Sequence, residues 1–109
     1  MSWTRTIVGA VALLLASCGP VLPPADATLV VIAQRRWPEA DAIQLEQGHL
    51  LFITRCTTCH ELRDPARYSP ADWSYYVREM APRAQLADSE RQAVERYLVA
   101  ARDLAEAAR

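Results

Sequence analysis

The stretch Cys56-Thr57-Thr58-Cys59-His60 contains two of the three cysteines and one of the two histidines of this chain. Two thiols separated by two residues on one helical turn can both reach the same edge of a flat ring system. A histidine directly after the second thiol can offer an imidazole nitrogen to a metal at the centre of that ring. This spacing is typical of covalent attachment of c-type haem, with Cys56 and Cys59 as thioether attachment points and His60 as the proximal iron ligand.

Two other kinds of site use cysteines at this spacing. A structural zinc site needs four ligands, and outside the motif only His49 and some carboxylates are left to complete one. A thioredoxin-type dithiol normally sits beside a parallel-sheet pattern, which this sequence lacks. Haem attachment is therefore favoured, and a haem-free zinc or dithiol protein is the alternative.

The N-terminus has the pattern of an export signal. A polar start with Arg5 precedes an apolar run at 7–16 that is too short to span a bilayer and ends in small residues. The ending Leu15-Ala16-Ser17-Cys18 resembles a bacterial lipoprotein signal, which implies that Cys18 is acylated and becomes the mature N-terminus. We therefore expect a signal peptide at 1–17, and the alternative is an ordinary signal peptide with an unrelated cysteine, cleaved nearby.

The cysteine count agrees with this interpretation. An odd number of cysteines in an exported chain would leave a free thiol. If Cys18 carries lipid and Cys56 and Cys59 carry haem, no free thiol remains. Export also agrees with haem attachment, which takes place on the outer side of the bacterial inner membrane. Gly19, where an aspartate would retain a lipoprotein at the inner membrane, favours the outer membrane.

Charge and size narrow the class of protein. The net charge is −1, and loss of Arg5 leaves eleven basic and thirteen acidic residues, a net charge of −2. This balance argues against nucleic-acid binding, which needs a basic face. All twelve basic residues are arginine, so a docking face for a redox partner would use arginine or apolar contacts. The mature chain is one small domain to which a covalent haem would add apolar bulk.

Composition and periodicity divide the mature chain. The proline-rich residues 18–27 carry the lipidated N-terminus and predict an extended tether to a domain at 28–109. Residues 28–37 predict a short helix, although their apolar run is also compatible with a strand. Residues 41–55 predict a helix that leads into the motif. Gly48 in its interior costs about 1 kcal/mol relative to alanine, which indicates close approach by another helix.

A final helix supplies that partner. It is expected from Asp88, as N-cap, to about Ala107. Helical spacing places an apolar face on it, formed by Val94, Tyr97, Leu98, Ala101, Leu104 and Ala105.

These features together resemble the class I c-type cytochromes. That family has a small residue eight positions and an aromatic four positions before the first haem cysteine, matched here by Gly48 and Phe52. Its C-terminal helix crosses over the small residue with an aliphatic and an aromatic residue three apart, matched by Val94 and Tyr97. The resemblance spans residues 43–104 and implies an all-α, cytochrome c-like helical domain wrapped around one covalent haem c.

The resemblance also implies a distal ligand. The family's usual choice is a thioether, and Met80 is the single methionine of the mature chain. Pro82 would end the preceding helix and turn the chain across the distal face. His49 is the rival ligand, but its position on the helix before the motif predicts a place at the haem edge or in solvent. The short distance from motif to methionine resembles a compact subgroup with the pattern Tyr68, Pro70, Trp73 and Met80.

Further contacts follow from the same resemblance. The second nitrogen of the proximal imidazole usually donates to a backbone carbonyl, for which Pro65 and Pro70 are candidates. Side chains with N–H or O–H donors are candidates for haem propionate contacts, with surface or core packing as the alternative for each. These residues are Tyr68, Trp73, Arg67 and Arg83.

The sequence therefore predicts a periplasmic, lipid-anchored monohaem cytochrome c that carries single electrons. A haem iron with both axial positions filled has no open coordination site for substrate. This disfavours catalysis, so we do not expect an enzyme. The expected partners are a dehydrogenase, a reductase or another cytochrome, together with the membrane through the N-terminal lipid. The alternative is a haem-based enzyme or gas sensor in which Met80 is displaced and Arg83 or Tyr76 serves the distal site.

Overall fold

The computed structural model describes residues 20–109, which form four α-helices and no strand. The helices are α1 (Ala27–Gln34), α2 (Ala42–Arg55), α3 (Pro70–Met80) and α4 (Asp88–Ala107). The predicted all-α class is confirmed, and the segment predicted at 28–37 is helical up to Gln34 rather than a strand. None of the described helices is long and apolar enough to cross a membrane. The predicted signal peptide at 1–17 and Cys18 lie outside the described residues.

Local hydrogen bonds set the starts of the helices. The first three begin after a side chain that accepts a backbone N–H three residues on, and these caps are Asp26, Asp41 and Ser69. The prediction that Asp88 caps α4 is wrong, because Asp88 is already the first helical residue and Ala87 is the N-cap. The Ala87 N–H donates to the Glu90 carboxylate at 2.9 Å. Both acidic side chains in the first turn are favourable beside the helix N-terminus.

Helices α2 and α4 cross at Gly48. A Cβ atom on this residue would lie 2.6 Å from the carbonyl carbon of Ala93 and 2.9 Å from the Cβ of Tyr97. Such distances are too short for packed atoms, so the two backbones approach only because residue 48 has no side chain. The predicted close approach is confirmed, and it fixes the end of α2 from which the motif continues.

The core lies between α4 and the other three helices. The six positions predicted for the apolar face of α4 are buried or half-buried. The other helices contribute Leu29, Ile32, Ala33, Leu45, Phe52, Trp73 and Val77. One charged residue of α4 is also buried: Arg96 donates to Glu39 at 2.6 Å and to Gln44 at 3.1 Å. These bonds compensate for removing its guanidinium from water.

The segment before α1 is held on the domain. The Tyr97 hydroxyl donates to the carbonyl oxygen of Pro23 at 2.8 Å. Burial raises the pKa of Tyr97, so the hydroxyl stays protonated and able to donate. Leu22 and Ala25 pack against the core. Residues 22–26, which fall in the segment predicted to be a tether, therefore lie on the folded domain.

Candidate functional site

The predicted haem attachment motif, residues 56–60, follows directly after α2. The two threonines between the cysteines bond to carbonyls at the end of that helix: Thr57 donates to Ile53 at 2.8 Å, and Thr58 to Arg55 at 2.9 Å. These bonds satisfy carbonyl groups that a helix terminus leaves without partners. Both cysteines of the motif are free thiols, the first half-buried and the second exposed.

The half-buried thiol of Cys56 has a distinct electrostatic environment. Burial raises the pKa of Cys56, so its thiol is protonated at neutral pH. The attacking thiol of a redox dithiol instead has a lowered pKa, which makes the thiolate available. Cys56 therefore lacks the environment that activates such a thiol.

The His60 imidazole is oriented by the backbone of the next residue. Its Nδ1 lies 2.8 Å from the carbonyl oxygen of Glu61. Because a carbonyl oxygen only accepts, Nδ1 is the donor in this contact, and Nε2 is the nitrogen available to a metal. The structure thus pairs Nδ1 with Glu61 rather than with the predicted Pro65 or Pro70. The Pro65 carbonyl accepts from Trp73 Nε1 at 2.7 Å, and Pro70 is the first residue of α3.

Three adjoining cavities surround His60 and Met80. Their volumes, which include space open to solvent, are about 350, 450 and 460 Å³, and both residues line all three. Cys56 lines the first two cavities, and Cys59 lines the second. Met80 is the last residue of α3, where the sequence places the helix end. The two thiols, the imidazole and the thioether are therefore brought together in one region.

The first cavity has largely apolar walls. Trp73 is only 1% exposed and lines the first and third cavities. Its ring centroid lies 6.3 Å from that of Phe52 and 5.0 Å from that of Tyr68, both in edge-to-face geometry. Further apolar lining comes from Val77, Ala84, Leu86, Val94 and Leu98. Such walls limit the access of water to the groups between them.

Three arginines line the cavities, and no acidic residue is among the residues that line them. Arg63 borders the first and third cavities, and Arg55 and Arg83 border the second. None of the three forms an ion pair within residues 20–109. The arginines that do are Arg36, Arg91, Arg96, Arg102 and Arg109. The cavity region is therefore positively charged and suited to binding carboxylates.

Arg55 also holds the loop between α3 and α4. Its Nη1 donates to the carbonyl oxygens of Ala84 at 3.2 Å and Gln85 at 3.3 Å. Gln85 has a φ of 56°, in the left-handed region that non-glycine residues seldom adopt. Arg55 thus links the end of α2, next to the cysteines, to the turn that follows Met80.

Only some of the side chains predicted to contact the haem propionates line the cavities. Tyr68 lines the third cavity and Arg83 lines the second. Arg67 instead stacks over the Tyr68 ring, 5.6 Å from its centroid. Neither Arg67 nor Pro65 or Pro70 lines these cavities.

Three side chains lie in places that the sequence did not predict. No sequence pattern marks Arg55 and Arg63 as part of the site, and their only signal is a position within three residues of the motif. His49, the rival ligand, stacks on Tyr97 with ring centroids 4.8 Å apart and does not line the cavities. Within residues 20–109, no group of three or more His, Cys, Asp or Glu side chains is placed to hold a metal ion.

The lining residues define what the site can do chemically. Two thiols can form covalent bonds, an imidazole nitrogen and a thioether sulfur can ligate iron, and guanidinium groups can bind carboxylates. The lining residues include no carboxylate to act as a general base. Comparison with models of protein families, with curated proteins and with solved structures finds no match to this chain.

Proposed function

We propose that this protein is a lipid-anchored monohaem cytochrome c that carries single electrons on the periplasmic side of a bacterial membrane. One observation carries the proposal: His60 and Met80 line the same three cavities, beside both cysteines of the attachment motif. The motif alone predicts two thioethers and one imidazole. The shared cavities support Met80 as the second candidate ligand, because its thioether lies in the same region as the His60 imidazole.

The donor chemistry of these residues fits a covalent haem. The Nδ1 atom of His60 donates to the Glu61 carbonyl, which leaves Nε2 as the nitrogen that could ligate a metal. Haem bound here supplies one iron ion that exchanges a single electron. The His60 imidazole and the Met80 thioether would hold this iron, and two protein ligands of this kind suit electron transfer rather than substrate binding.

The surrounding residues support the same function. Trp73, held by its hydrogen bond to Pro65, and Phe52 would exclude water from the apolar wall. Water exclusion and thioether ligation both favour ferrous iron and so raise the reduction potential. Arg55, Arg63 and Arg83 would offset the negative charge of two haem propionates. The other propionate candidate, Arg67, stacks on Tyr68 outside the cavities.

The proposed location rests on the N-terminal sequence. Residues 1–17 have the pattern of a signal peptide, and Cys18 is the residue that would be acylated. Gly19 favours the outer membrane. A single-electron carrier there would exchange electrons with a dehydrogenase, a reductase or another cytochrome.

Optical spectra of the full chain, produced in a bacterium that attaches c-type haem, test the proposal. We expect a Soret band that stays with the denatured protein, because thioether bonds are covalent. The oxidised protein should also show the weak long-wavelength band of methionine–iron ligation. Met80→Ala should abolish this band. Val77→Ala is the matched control, because it changes the same cavity wall one turn earlier without removing a ligand.

Two results would contradict the proposal. A high-spin oxidised spectrum, with carbon monoxide binding readily to the reduced wild type, favours a haem enzyme or gas sensor. A protein without any Soret band favours the zinc or dithiol alternative.

A further inference from the structure

The proposed lipid attachment point lies very close to the folded domain. Cys18 is two residues before Pro20, the first residue that the structure describes. An extended chain spans at most about 3.6 Å per residue, so the acylated residue lies within about 7 Å of Pro20. The position of residues 20–23 on the domain therefore determines which surface faces the bilayer.

Residues 20–23 lie beside the C-terminal end of α4. Pro20, Val21 and Pro23 line a groove of about 850 Å³. Its other lining residues are Ala101, Leu104 and Ala105 of α4, Ala108 and Arg109 directly after α4, and Asp64 and Ala66. The hydrogen bond from Tyr97 to Pro23, at 2.8 Å, fastens this segment to α4. Val21 is 86% exposed, so an apolar side chain is in contact with solvent beside the groove.

The exposed part of the candidate haem site lies near the other end of the same helix. Arg83 and Ala84 line the second cavity and belong to the loop that leads into the first residue of α4. The exposed Cys59 lines that cavity as well. Helix α4 has 20 residues, and a rise of about 1.5 Å per residue separates its ends by about 30 Å.

We infer that the domain docks on a zwitterionic phospholipid surface through the groove at the C-terminal end of α4, with Cys59 and Arg83 held away from the bilayer. This inference rests on the proposed acylation of Cys18. The groove carries one basic and one acidic residue, Arg109 and Asp64, so it has no net attraction to anionic lipid. The apolar Val21 can enter the headgroup region. Redox partners would then approach the candidate site from the aqueous side.

Paramagnetic relaxation by a gadolinium-chelating lipid tests this orientation. The acylated mature protein, which begins at Cys18, is placed in phosphatidylcholine nanodiscs in its reduced form, and broadening is measured for each backbone amide. Relaxation falls steeply with distance, so the amides of residues 101–108 should broaden at least about tenfold more than those of residues 88–92, given the roughly 30 Å between the helix ends. Uniform broadening, or a reversed gradient along α4, would overturn the inference.

Two insertions control for tether length. About twelve Gly and Ser residues between Gly19 and Pro20 add roughly 20 Å of flexible chain and should reduce the gradient to less than about twofold. The same insertion after Arg109 should leave the gradient unchanged. A gradient that survives the first insertion would show that the tether does not set the orientation.

Mass spectrometry and absorbance separate this inference from the proposed function. A chain without acyl groups on Cys18 overturns both the anchor and the orientation. An acylated chain that shows the gradient but no Soret band supports the orientation and overturns only the haem protein.

Discussion

At the residue scale, Gly48 has little freedom to change, because a Cβ atom there would meet the backbone of α4. Glycine in a helix interior is less favourable than alanine by about 1 kcal/mol, so propensity alone favours replacing it. The close packing of Gly48 on Ala93 opposes the replacement, because a Cβ at position 48 would meet backbone atoms of α4. A backbone group cannot move aside as the end of a flexible side chain can, so the two helices would have to separate.

We therefore expect Gly48→Ala to lower the free energy of unfolding by about 2–3 kcal/mol, in spite of the better helix propensity of alanine. Gln47→Ala, at an exposed neighbouring position of α2, should change it by less than about 0.5 kcal/mol. Urea denaturation followed by far-ultraviolet circular dichroism measures both variants. A Gly48→Ala protein more stable than the wild type would show that α4 does not pack on this residue.

At the scale of the elements, an ion pair ties the end of α1 to α4. Arg36, which follows α1, donates to Asp103 through Nε at 2.6 Å and Nη2 at 3.1 Å. Burial alone would raise the pKa of Asp103, but the hydrogen bonds and charges of Arg36 and Arg102 outweigh it and hold this pKa below its ordinary value. The ionised carboxylate is therefore the form that the fold stabilises.

The sign of the pH dependence follows from this lowered pKa. The pair stabilises the fold at pH values above the unfolded pKa of 3.8, and this contribution is lost as the pH falls through the folded pKa. Because both side chains are partly exposed, we expect Asp103→Asn to lower the free energy of unfolding by only about 1 kcal/mol at neutral pH. The difference from wild type should shrink towards zero in strong acid.

Urea denaturation at neutral and at acid pH measures this effect. Glu79→Gln is the control, because Glu79 is exposed and forms no ion pair within residues 20–109. It should leave stability nearly unchanged at both pH values. If Asp103→Asn were equally destabilising at both, the contribution of Asp103 would come from packing rather than charge.

At the scale of the whole molecule, local patterns predicted the architecture well. The crossing of α2 and α4 follows from a glycine on one helix and an apolar face on the other. Both features can be identified from the sequence. The N-cap of α4 lies one residue before the predicted Asp88, because the cap depends on the backbone angles of Ala87, which has no capping side chain. The end of α3 at Met80 is predictable because Pro82, which lacks an N–H donor, cannot continue the helix.

The lining of the cavities was less predictable, for a physical reason. Arg63 and Arg67 lie four residues apart, yet only the first lines a cavity. Between them the chain enters the 3₁₀ turn Pro65–Arg67, whose direction depends on the hydrogen bond between Trp73 and the Pro65 carbonyl. That contact joins residues from two elements, so no local pattern indicates which arginine turns inward.

The whole-molecule arrangement also predicts where the fold depends on the proposed haem. Helix α3 buries Trp73 and Val77, and both line the first cavity. Helices α2 and α4 instead pack directly on each other at Gly48. Loss of a group bound in the cavities should therefore expose the buried face of α3 to water before it weakens the packing of α2 on α4.

We expect the Cys56→Ser/Cys59→Ser protein, which cannot form thioethers, to keep α2 and α4 protected and to lose protection in α3. Hydrogen exchange of α3 amides should be at least about tenfold faster than in the haem-bound protein, a change of about 1.4 kcal/mol in local opening. Thr57→Ser/Thr58→Ser is the matched control, because it alters the same turn but keeps both thiols and both hydroxyl donors. Equal acceleration in all four helices would instead mean that the cavities support the whole core, because no helix would then be stable without the group that fills them.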